Sequence, residues 1–216
     1  MESKKLKKVK KAMNEIIIGP NKSIKYRWRE LWEYRELFYF LSWRDILVRY
    51  KQTMLGIAWS VLRPFLTMIV FTIIFGKIAK LPSGNIPYAV LVFAAMLPWQ
   101  FFSNTLSESG LSLTANANMI TKVYFPRIIL PTTSMIVSFI DFLISFAMLC
   151  VLMSWYGFFP DAKILVLPVL LLFAALTSLG AGYWISALNV TYRDFRYIVP
   201  FLIQFGLYIS PVGFSS

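Results

Sequence analysis

The sequence predicts an all-α, polytopic membrane protein with five transmembrane helices and an N-terminal amphipathic helix at the membrane interface. Of its 216 residues, 58% are hydrophobic and only 15% are charged, whereas soluble domains carry about 25% charged residues. Several apolar stretches reach the roughly 20 residues that a helix needs to cross the hydrocarbon core. The basic charge is also concentrated at one end, because 15 of the 22 Lys and Arg residues lie within residues 1–63.

Residues 1–34 are a polar, basic segment that we expect to be cytoplasmic. Six lysines crowd its beginning: Lys4, Lys5, Lys7, Lys8, Lys10 and Lys11. A basic segment beside an apolar body is typical of a cytoplasmic region near anionic lipid. The net charge of +12 is therefore interpreted as membrane-related, and we expect no nucleic-acid partner. Mixed polar sequence follows the lysines, unlike the apolar core of a signal peptide.

Residues 35–52 have the pattern of an amphipathic helix. One side of this helix is aromatic and apolar: Tyr39, Phe40, Trp43, Ile46, Leu47 and Tyr50. The other side is polar: Ser42, Asp45, Arg49 and Gln52. These charges argue against a membrane span, so we expect the helix to lie in the interface with its aromatic side in lipid. An ordinary amphipathic helix packed on protein is the alternative.

Five apolar stretches predict the spans: 56–77, 87–108, 132–156, 164–188 and 198–214. With a cytoplasmic N-terminus, the inner loops hold Lys122, Arg127, Arg193 and Arg196 in addition to the basic head. The outer loops hold Lys77, Lys80 and Lys163. Since Lys and Arg favour the cytoplasmic side, this orientation is the expected one. The localisation that follows is a bacterial cytoplasmic (inner) membrane, with the C-terminus of this chain outside.

Asp141 is the one charged residue inside the third predicted span. A carboxylate at the bilayer centre costs about 2.5–3.5 kcal/mol on insertion scales, so it should face protein or water. Its expected partners are Ser103, Asn104, Ser107 or Arg63. A proton relay would need a second titratable group at similar depth, and we identify none. We therefore interpret Asp141 as a buried hydrogen-bonding group that fixes helix packing.

Trp99, Gln100 and Asn104 lie near the middle of the second predicted span. Trp99 is too deep for the aromatic belts that form at membrane interfaces. Aromatic faces and amides suit sugars, so this stripe is a candidate wall of a substrate channel. Helix packing explains it equally well.

The sequence lacks the residues that several kinds of catalysis and metal binding require. The chain contains no His, which removes His bases, His-assisted nucleophiles and imidazole metal ligands. Its one cysteine, Cys150, lies in an apolar run and is interpreted as a buried small hydrophobic residue. No G-x-x-x-x-G-K-[ST] motif for nucleotide binding is present. We expect no metal and no cofactor in this chain.

Seven stretches, in order along the chain, resemble the ABC-2 type permease family: 49–56 (RYKQTMLG), 59–64 (WSVLRP), 97–103 (LPWQFFS), 118–127 (NMITKVYFPR), 137–142 (VSFIDF), 188–197 (LNVTYRDFRY) and 210–212 (SPV). Within that family, the chain is most similar to permeases that export O-antigen, capsule-type polysaccharide or teichoic acid. The resemblance covers residues 35–216, which would form the transmembrane domain.

The resemblance implies a homodimer of permeases that works with two cytoplasmic ATPase subunits. ATP and Mg²⁺ would be bound by those partners, and lipid-linked polysaccharide would pass between the permeases. The family has six spans, so this chain is expected to be truncated before the last one. A secondary transporter and a membrane glycosyl- or acyltransferase are the alternatives. The first usually has paired mid-membrane charges, and the second usually has carboxylate pairs or a His.

The resemblance also suggests where the ATPase binds. The first inner loop, 118–131, would be the coupling helix, with Lys122, Val123, Tyr124, Phe125 and Arg127 as contacts. The second inner loop has Tyr192, Arg193, Asp194 and Arg196. There, ATPase contact and a structural cap formed by Asp194 with either Arg stay open. The interfacial helix would contact lipid and ATPase through Tyr39, Trp43, Arg44, Arg49, Tyr50 and Lys51.

Overall fold

A computed structural model describes residues 31–51, 56–78, 86–158 and 162–210. The chain divides into two compact units, Met1–Glu33 and Tyr34–Ser216. Of the first unit only residues 31–33 are described, as a helical turn. The predicted basic segment thus lies almost wholly outside the described residues. The described part of the second unit is built of helices and contains no strand, as expected.

The helices in chain order are α1 Arg35–Lys51, α2 Gly56–Phe71, α3 Tyr88–Ala115, α4 Ala117–Ile120, α5 Ile129–Trp155, α6 Leu167–Thr191 and α7 Phe195–Ile209. A π-helical segment, Thr72–Ile78, continues α2. A 3₁₀ turn, Ala162–Val166, precedes α6.

Four helical segments are long and apolar enough to cross a membrane, and they confirm four of the predicted spans: Val61–Ile78, Tyr88–Ala115, Ile129–Trp155 and Ile164–Thr191. The fifth predicted span corresponds to α7, an apolar helix of 15 residues. At 1.5 Å per residue α7 is about 22 Å long, less than the roughly 30 Å of hydrocarbon. The rest of that prediction, residues 211–214, lies outside the described residues.

α3 extends seven residues beyond its predicted end at residue 108 and stops at Ala115. The prediction ended there because Glu108 interrupts the uncharged stretch. In the structure the helix continues because a cation compensates this carboxylate: Arg49 Nη1 lies 3.5 Å from Glu108 Oε1. A paired charge is much less costly near lipid than an isolated one.

The bundle is organised around α3, which packs most extensively on α6 and then on α5. Small residues allow the close approach of α3 and α6. A side chain added at Gly182 would place its Cβ 2.6 Å from the Ser109 Cβ, so only glycine fits there. Asn189 Nδ2 donates to the Gly110 carbonyl over 2.7 Å. Small residues and interhelical hydrogen bonds are the usual means of helix association in lipid.

These contacts also fix the helix directions. The C-terminal part of α3 lies beside the C-terminal part of α6, so the two helices run parallel. The Ser109 hydroxyl donates to the Pro131 carbonyl over 3.0 Å, near the start of α5, so α5 runs antiparallel to α3. Residues 116–128, between α3 and α5, and residues 192–194, between α6 and α7, therefore lie at the same end of the bundle. We call it the loop end.

The apolar core lies between α2, α3 and α5. Its buried members include Met68, Phe93, Phe101, Phe142 and Leu149. The Phe101 and Phe142 rings meet edge to face with centroids 5.8 Å apart. This core holds the spans in place and leaves the polar side of α1 to form the site described next.

Candidate functional site: a charged cleft and the loop-end surfaces

A cleft of about 470 Å³ opens between α1, α3 and α5. Its charged lining comes from Arg44, Asp45 and Arg49 of α1 and from Glu108 of α3. Asn116, Ser112 and Ser134 add polar groups. The polar side of α1 therefore faces protein, and the charges that argue against a span are compensated inside this cleft.

Asp141 lies beside the cleft near the middle of α5 and is buried as predicted. Its predicted partners are wrong. The Tyr50 hydroxyl donates to Asp141 Oδ1 over 2.5 Å, and Arg49 Nη2 lies 2.9 Å from Oδ2. Ser103, one of the predicted partners, instead donates to the Gln100 carbonyl of its own helix. The prediction failed because it looked for partners on neighbouring spans, whereas α1 supplies them.

Glu108 is a second carboxylate in the same cluster, at a depth where the sequence analysis identified none. Arg49 lies between the two carboxylates, 3.5 Å from Glu108 and 2.9 Å from Asp141. The Glu108 side chain is 51% exposed, whereas that of Asp141 is 11% exposed. The two contacts are thus unequal: one is close and buried, and the other is longer and open to the cleft.

Arg44 connects α1 to the loop end. Its Nη2 contacts Asp45 Oδ1 at 2.7 Å and donates to Asn116 Oδ1 over 3.2 Å. Its Nη1 lies 4.0 Å from the Met119 sulfur. Five residues later, Arg49 reaches Glu108, which precedes Asn116 by eight residues, or about 12 Å along a helix. α1 therefore rises along the spans towards Asp141 and does not stay level with the loop end.

The aromatic side of α1 is largely as predicted. Tyr39, Phe40, Trp43 and Leu47 are exposed and free to meet lipid. Tyr50 was assigned to that side wrongly, because its hydroxyl turns to Asp141; a phenol at the edge of an apolar face usually finds a polar partner. Arg44 and Arg49 likewise bind protein groups, while Lys51 is exposed.

The connection between α3 and α5, residues 116–128, presents Lys122, Val123, Tyr124 and Arg127 to solvent. Phe125 is buried, so its predicted role as a surface contact is wrong. Pro126 and the backbone bond from the Ile129 amide to its carbonyl, 3.1 Å long, turn the chain into α5 and draw Phe125 inward. The exposed ring of this surface is Tyr124 alone.

The second predicted contact region is the short turn between α6 and α7. Tyr192, Arg193, Asp194 and Arg196 are all exposed there. In the described part of the chain, no ion pair joins Asp194 to either Arg, so the alternative of a salt-bridged polar cap is wrong. Backbone bonds close the turn instead, with the Tyr197 amide donating to the Asp194 carbonyl over 2.9 Å.

Trp99 contributes to helix packing. A Cβ at Gly206 of α7 would lie 2.7 Å from the Trp99 ring, so the indole lies directly against the α7 backbone. Trp99 also packs with the buried residues Val92 and Met96. Gln100 and Asn104 are half-buried. The packing alternative thus explains Trp99.

A stripe that the sequence analysis missed lies on the outer side of α7. Its members are all exposed and share one helical face: Tyr197, Phe201, Gln204, Phe205 and Tyr208. The Phe201 and Phe205 rings stack with centroids 5.8 Å apart. The spacing of this set, 4, 3, 1 and 3 residues, follows one helical face and could have identified it from the sequence.

Within the described ranges, no group of three or more His, Cys, Asp or Glu residues could hold a metal ion. Glu108 and Asp141 both face Arg49, which occupies the position that a cation would take.

The family model for the ABC-2 type transporter matches residues 36–216. The chain belongs to the ABC-2 type transporter family. Among relatives, this ABC-2 chain is 32% identical over 184 residues to the O-antigen export system permease protein RfbA of Myxococcus xanthus, covering 85% of this chain and 70% of the relative. It is 29% identical over 182 residues to the protein of the same name from Klebsiella pneumoniae, covering 84% and 70%. A second Klebsiella pneumoniae protein of that name is 26% identical, again over 84% and 70%.

Family membership indicates what kind of protein the cleft and the loop-end surfaces belong to. An ABC-2 permease is the membrane subunit of an ABC exporter and works with an ATPase partner. The match includes α1, the cleft, both loop-end surfaces and α7.

Proposed function

We propose that this chain exports a lipid-linked polysaccharide, such as O-antigen, capsule-type polysaccharide or teichoic acid, across the bacterial cytoplasmic membrane. The observation that carries this proposal is the similarity to three O-antigen export permeases over 84–85% of the chain. The chain is a transport subunit and not an enzyme, and a separate ATPase subunit binds ATP and Mg²⁺ and drives the export.

The ATPase subunit binds at the loop end, which is the cytoplasmic side together with the N-terminus. Lys122, Tyr124 and Arg127 of the 116–128 connection support this site, because they are exposed on a short segment braced by the buried Phe125. An exposed aromatic residue with basic neighbours is a common anchor in a protein–protein interface. Tyr192, Arg193 and Arg196 extend the surface at the same end.

A second copy of the chain completes the pathway. α2 and α6 support this arrangement, because only 11% and 6% of their apolar windows are buried within one copy. The exposed stripe of α7, including Tyr197, Gln204 and Tyr208, is the better candidate for the channel wall, since Trp99 is occupied by packing. Aromatic faces and an amide suit the C–H faces and hydroxyls of a polymer of sugars.

The test of ATPase binding is co-purification of the chain from membranes with its ABC ATPase subunit, followed by measurement of ATP hydrolysis. Lys122→Glu with Tyr124→Ala should reduce the ATPase subunit recovered by about tenfold, since a buried anchor contributes 1 kcal/mol or more. Thr114→Ala is the matched control, because this hydroxyl bonds only the Leu111 carbonyl of its own helix. Normal recovery with the double variant would rule out this docking surface.

A further inference from the structure

The polar side of α1 is attached to the rest of the protein at two separate points. The first is Arg44, which donates to Asn116 Oδ1 over 3.2 Å and contacts the Met119 sulfur at 4.0 Å. Both partners belong to the 116–128 connection, which the proposed function assigns to the ATPase. A displacement of that connection would therefore act on α1 through the contacts of Arg44.

The second point is Arg49 with Tyr50, which both bind Asp141 near the middle of α5. These contacts measure 2.9 Å and 2.5 Å, and the Asp141 side chain is only 11% exposed. The Arg49 side chain is itself 34% exposed, so this ion pair lies at the edge of the cleft with its carboxylate on the buried side. The Asp141 contact therefore fixes the end of α1 to a transmembrane helix.

Arg49 also has a looser partner in Glu108 of α3, at 3.5 Å and 51% exposed. With Asp141 and Glu108 both ionised, the cluster holds one cation between two anions. Arg49 faces the two carboxylates with different atoms: Nη1 lies towards Glu108 and Nη2 towards Asp141. The contact of Arg49 with α5 is therefore the shorter and more buried of the two, and its contact with α3 is the longer and more exposed.

The opposite side of α1 is exposed along Tyr39, Phe40 and Trp43. α1 thus bridges two parts of the protein: the loop-end connection and the middle of α5. We call the set Arg44, Arg49, Tyr50, Asn116, Glu108 and Asp141 the two-point clamp.

We propose that Arg49 is a positioning residue for transport: through the two-point clamp it transmits nucleotide-driven movement of the 116–128 connection to α5. This inference rests on the proposed function, because it needs an ATPase that moves the connection. It assigns α1 a second role besides membrane contact, which is mechanical linkage between the docking surface and the spans.

The test uses the full chain in complex with its ATPase subunit and a reporter that the chain already carries. Cys150 is its single cysteine. It is exposed, so the predicted burial is wrong, and it lies nine residues beyond Asp141 on α5. A nitroxide spin label on Cys150, with the cysteines of the ATPase subunit replaced, reports movement of α5. The measurement compares the spectrum of the reconstituted complex with and without ATP and vanadate, alongside ATP hydrolysis and thermal stability.

Arg49→Ala should reduce the nucleotide-dependent spectral change by at least about fivefold, the low end of ordinary coupling between sites, while the ATPase subunit stays bound. Arg49→Lys should restore much of the response because it keeps the charge. Arg63→Ala is the matched control: it removes an exposed arginine from α2 and should leave the response unchanged. Glu108→Gln should have a smaller effect than Asp141→Asn.

The double variant Arg49→Ala/Asp141→Asn distinguishes two explanations for a lost response: loss of the contact between α1 and α5, and destabilisation by an unpaired buried charge. It removes the charges of Arg49 and Asp141 together, so no buried carboxylate is left unpaired; the carboxylate that remains, Glu108, is 51% exposed. Stability should therefore return towards that of the wild type. The proposal predicts that the spectral response stays lost. A normal response in this double variant overturns the proposal, as does a wild-type α5 that does not respond while ATP is hydrolysed. If the wild-type chain binds no ATPase subunit, the proposed function fails instead.

Discussion

α3 and α6 are the most extensively packed pair of helices in the described part of the bundle, yet they use their surfaces in opposite ways. Half of the apolar window of α3 is buried within the protein, against 6% for α6, although α6 is the more apolar of the two. In water the more apolar helix would be expected inside. Lipid removes that preference, because its tails are as apolar as a leucine side chain.

The helix at the centre is therefore the one with small and polar groups. α3 buries Ser103, Thr105, Ser109, Gly110 and Ser112. α6 joins it through one narrow stripe and leaves most of its remaining apolar surface exposed. The stripe consists of its only buried residues: Ser178, Gly182, Ser186 and Asn189.

The largest effect should come from removing a core ring of α3. Phe93→Ala should destabilise the protein by about 3–5 kcal/mol, since a fully buried Phe leaves a cavity. Its matched control is Phe173→Ala on α6, where the same deletion affects a 62% exposed ring, against 0% for Phe93. Thermal unfolding in detergent measures both. Equal losses would contradict the contrast between the two helices.

The next effect concerns the close approach of α3 and α6. Gly182→Leu should cost about 1–3 kcal/mol through overpacking, because its Cβ would lie 2.6 Å from the Ser109 Cβ. Gly180→Leu places the same side chain two residues away, where nothing lies within 4 Å, and should be nearly neutral. Cysteine cross-linking between α3 and α6 would check that the loss is one of packing. Similar stability of the two variants would mean that the helices do not meet there.

The smallest of the three effects concerns the hydrogen bond across this interface. Asn189→Leu leaves the Gly110 carbonyl without its 2.7 Å donor and should cost about 0.6 kcal/mol, the average for such bonds in membranes, whose maximum is about 1.7 kcal/mol. Thr177→Val is the control, because that hydroxyl bonds only carbonyls of its own helix. A loss no greater than that of the control would remove Asn189 from the interface.

The spans were predictable because uncharged runs of sufficient length have few alternatives to lipid. Their ends were less predictable wherever a charge is compensated from elsewhere in the chain. Glu108 interrupted the apolar run of α3, and nothing local indicates that Arg49, 59 residues earlier, lies beside it. Asp141 poses the same problem, since its partners lie 91 and 92 residues away.

Other features were present in the sequence but were not used. Ser178, Gly182, Ser186 and Asn189 follow one helical face at spacings of 4, 4 and 3, the pattern of small residues that brings helices together in membranes. The burial of Phe125, in contrast, could not be predicted from the sequence. The residues that precede it, Lys122, Val123 and Tyr124, are exposed, and only tertiary packing determines that its ring turns inward.

The central claim, that this chain carries lipid-linked polysaccharide outwards, is tested most directly in cells that lack its gene. The measurement compares surface polysaccharide with lipid-linked polysaccharide retained inside, both resolved by gel electrophoresis, before and after the gene is restored. The account predicts loss of the surface polymer together with accumulation inside, both reversed by restoration. Unchanged surface polysaccharide with no internal accumulation would contradict it.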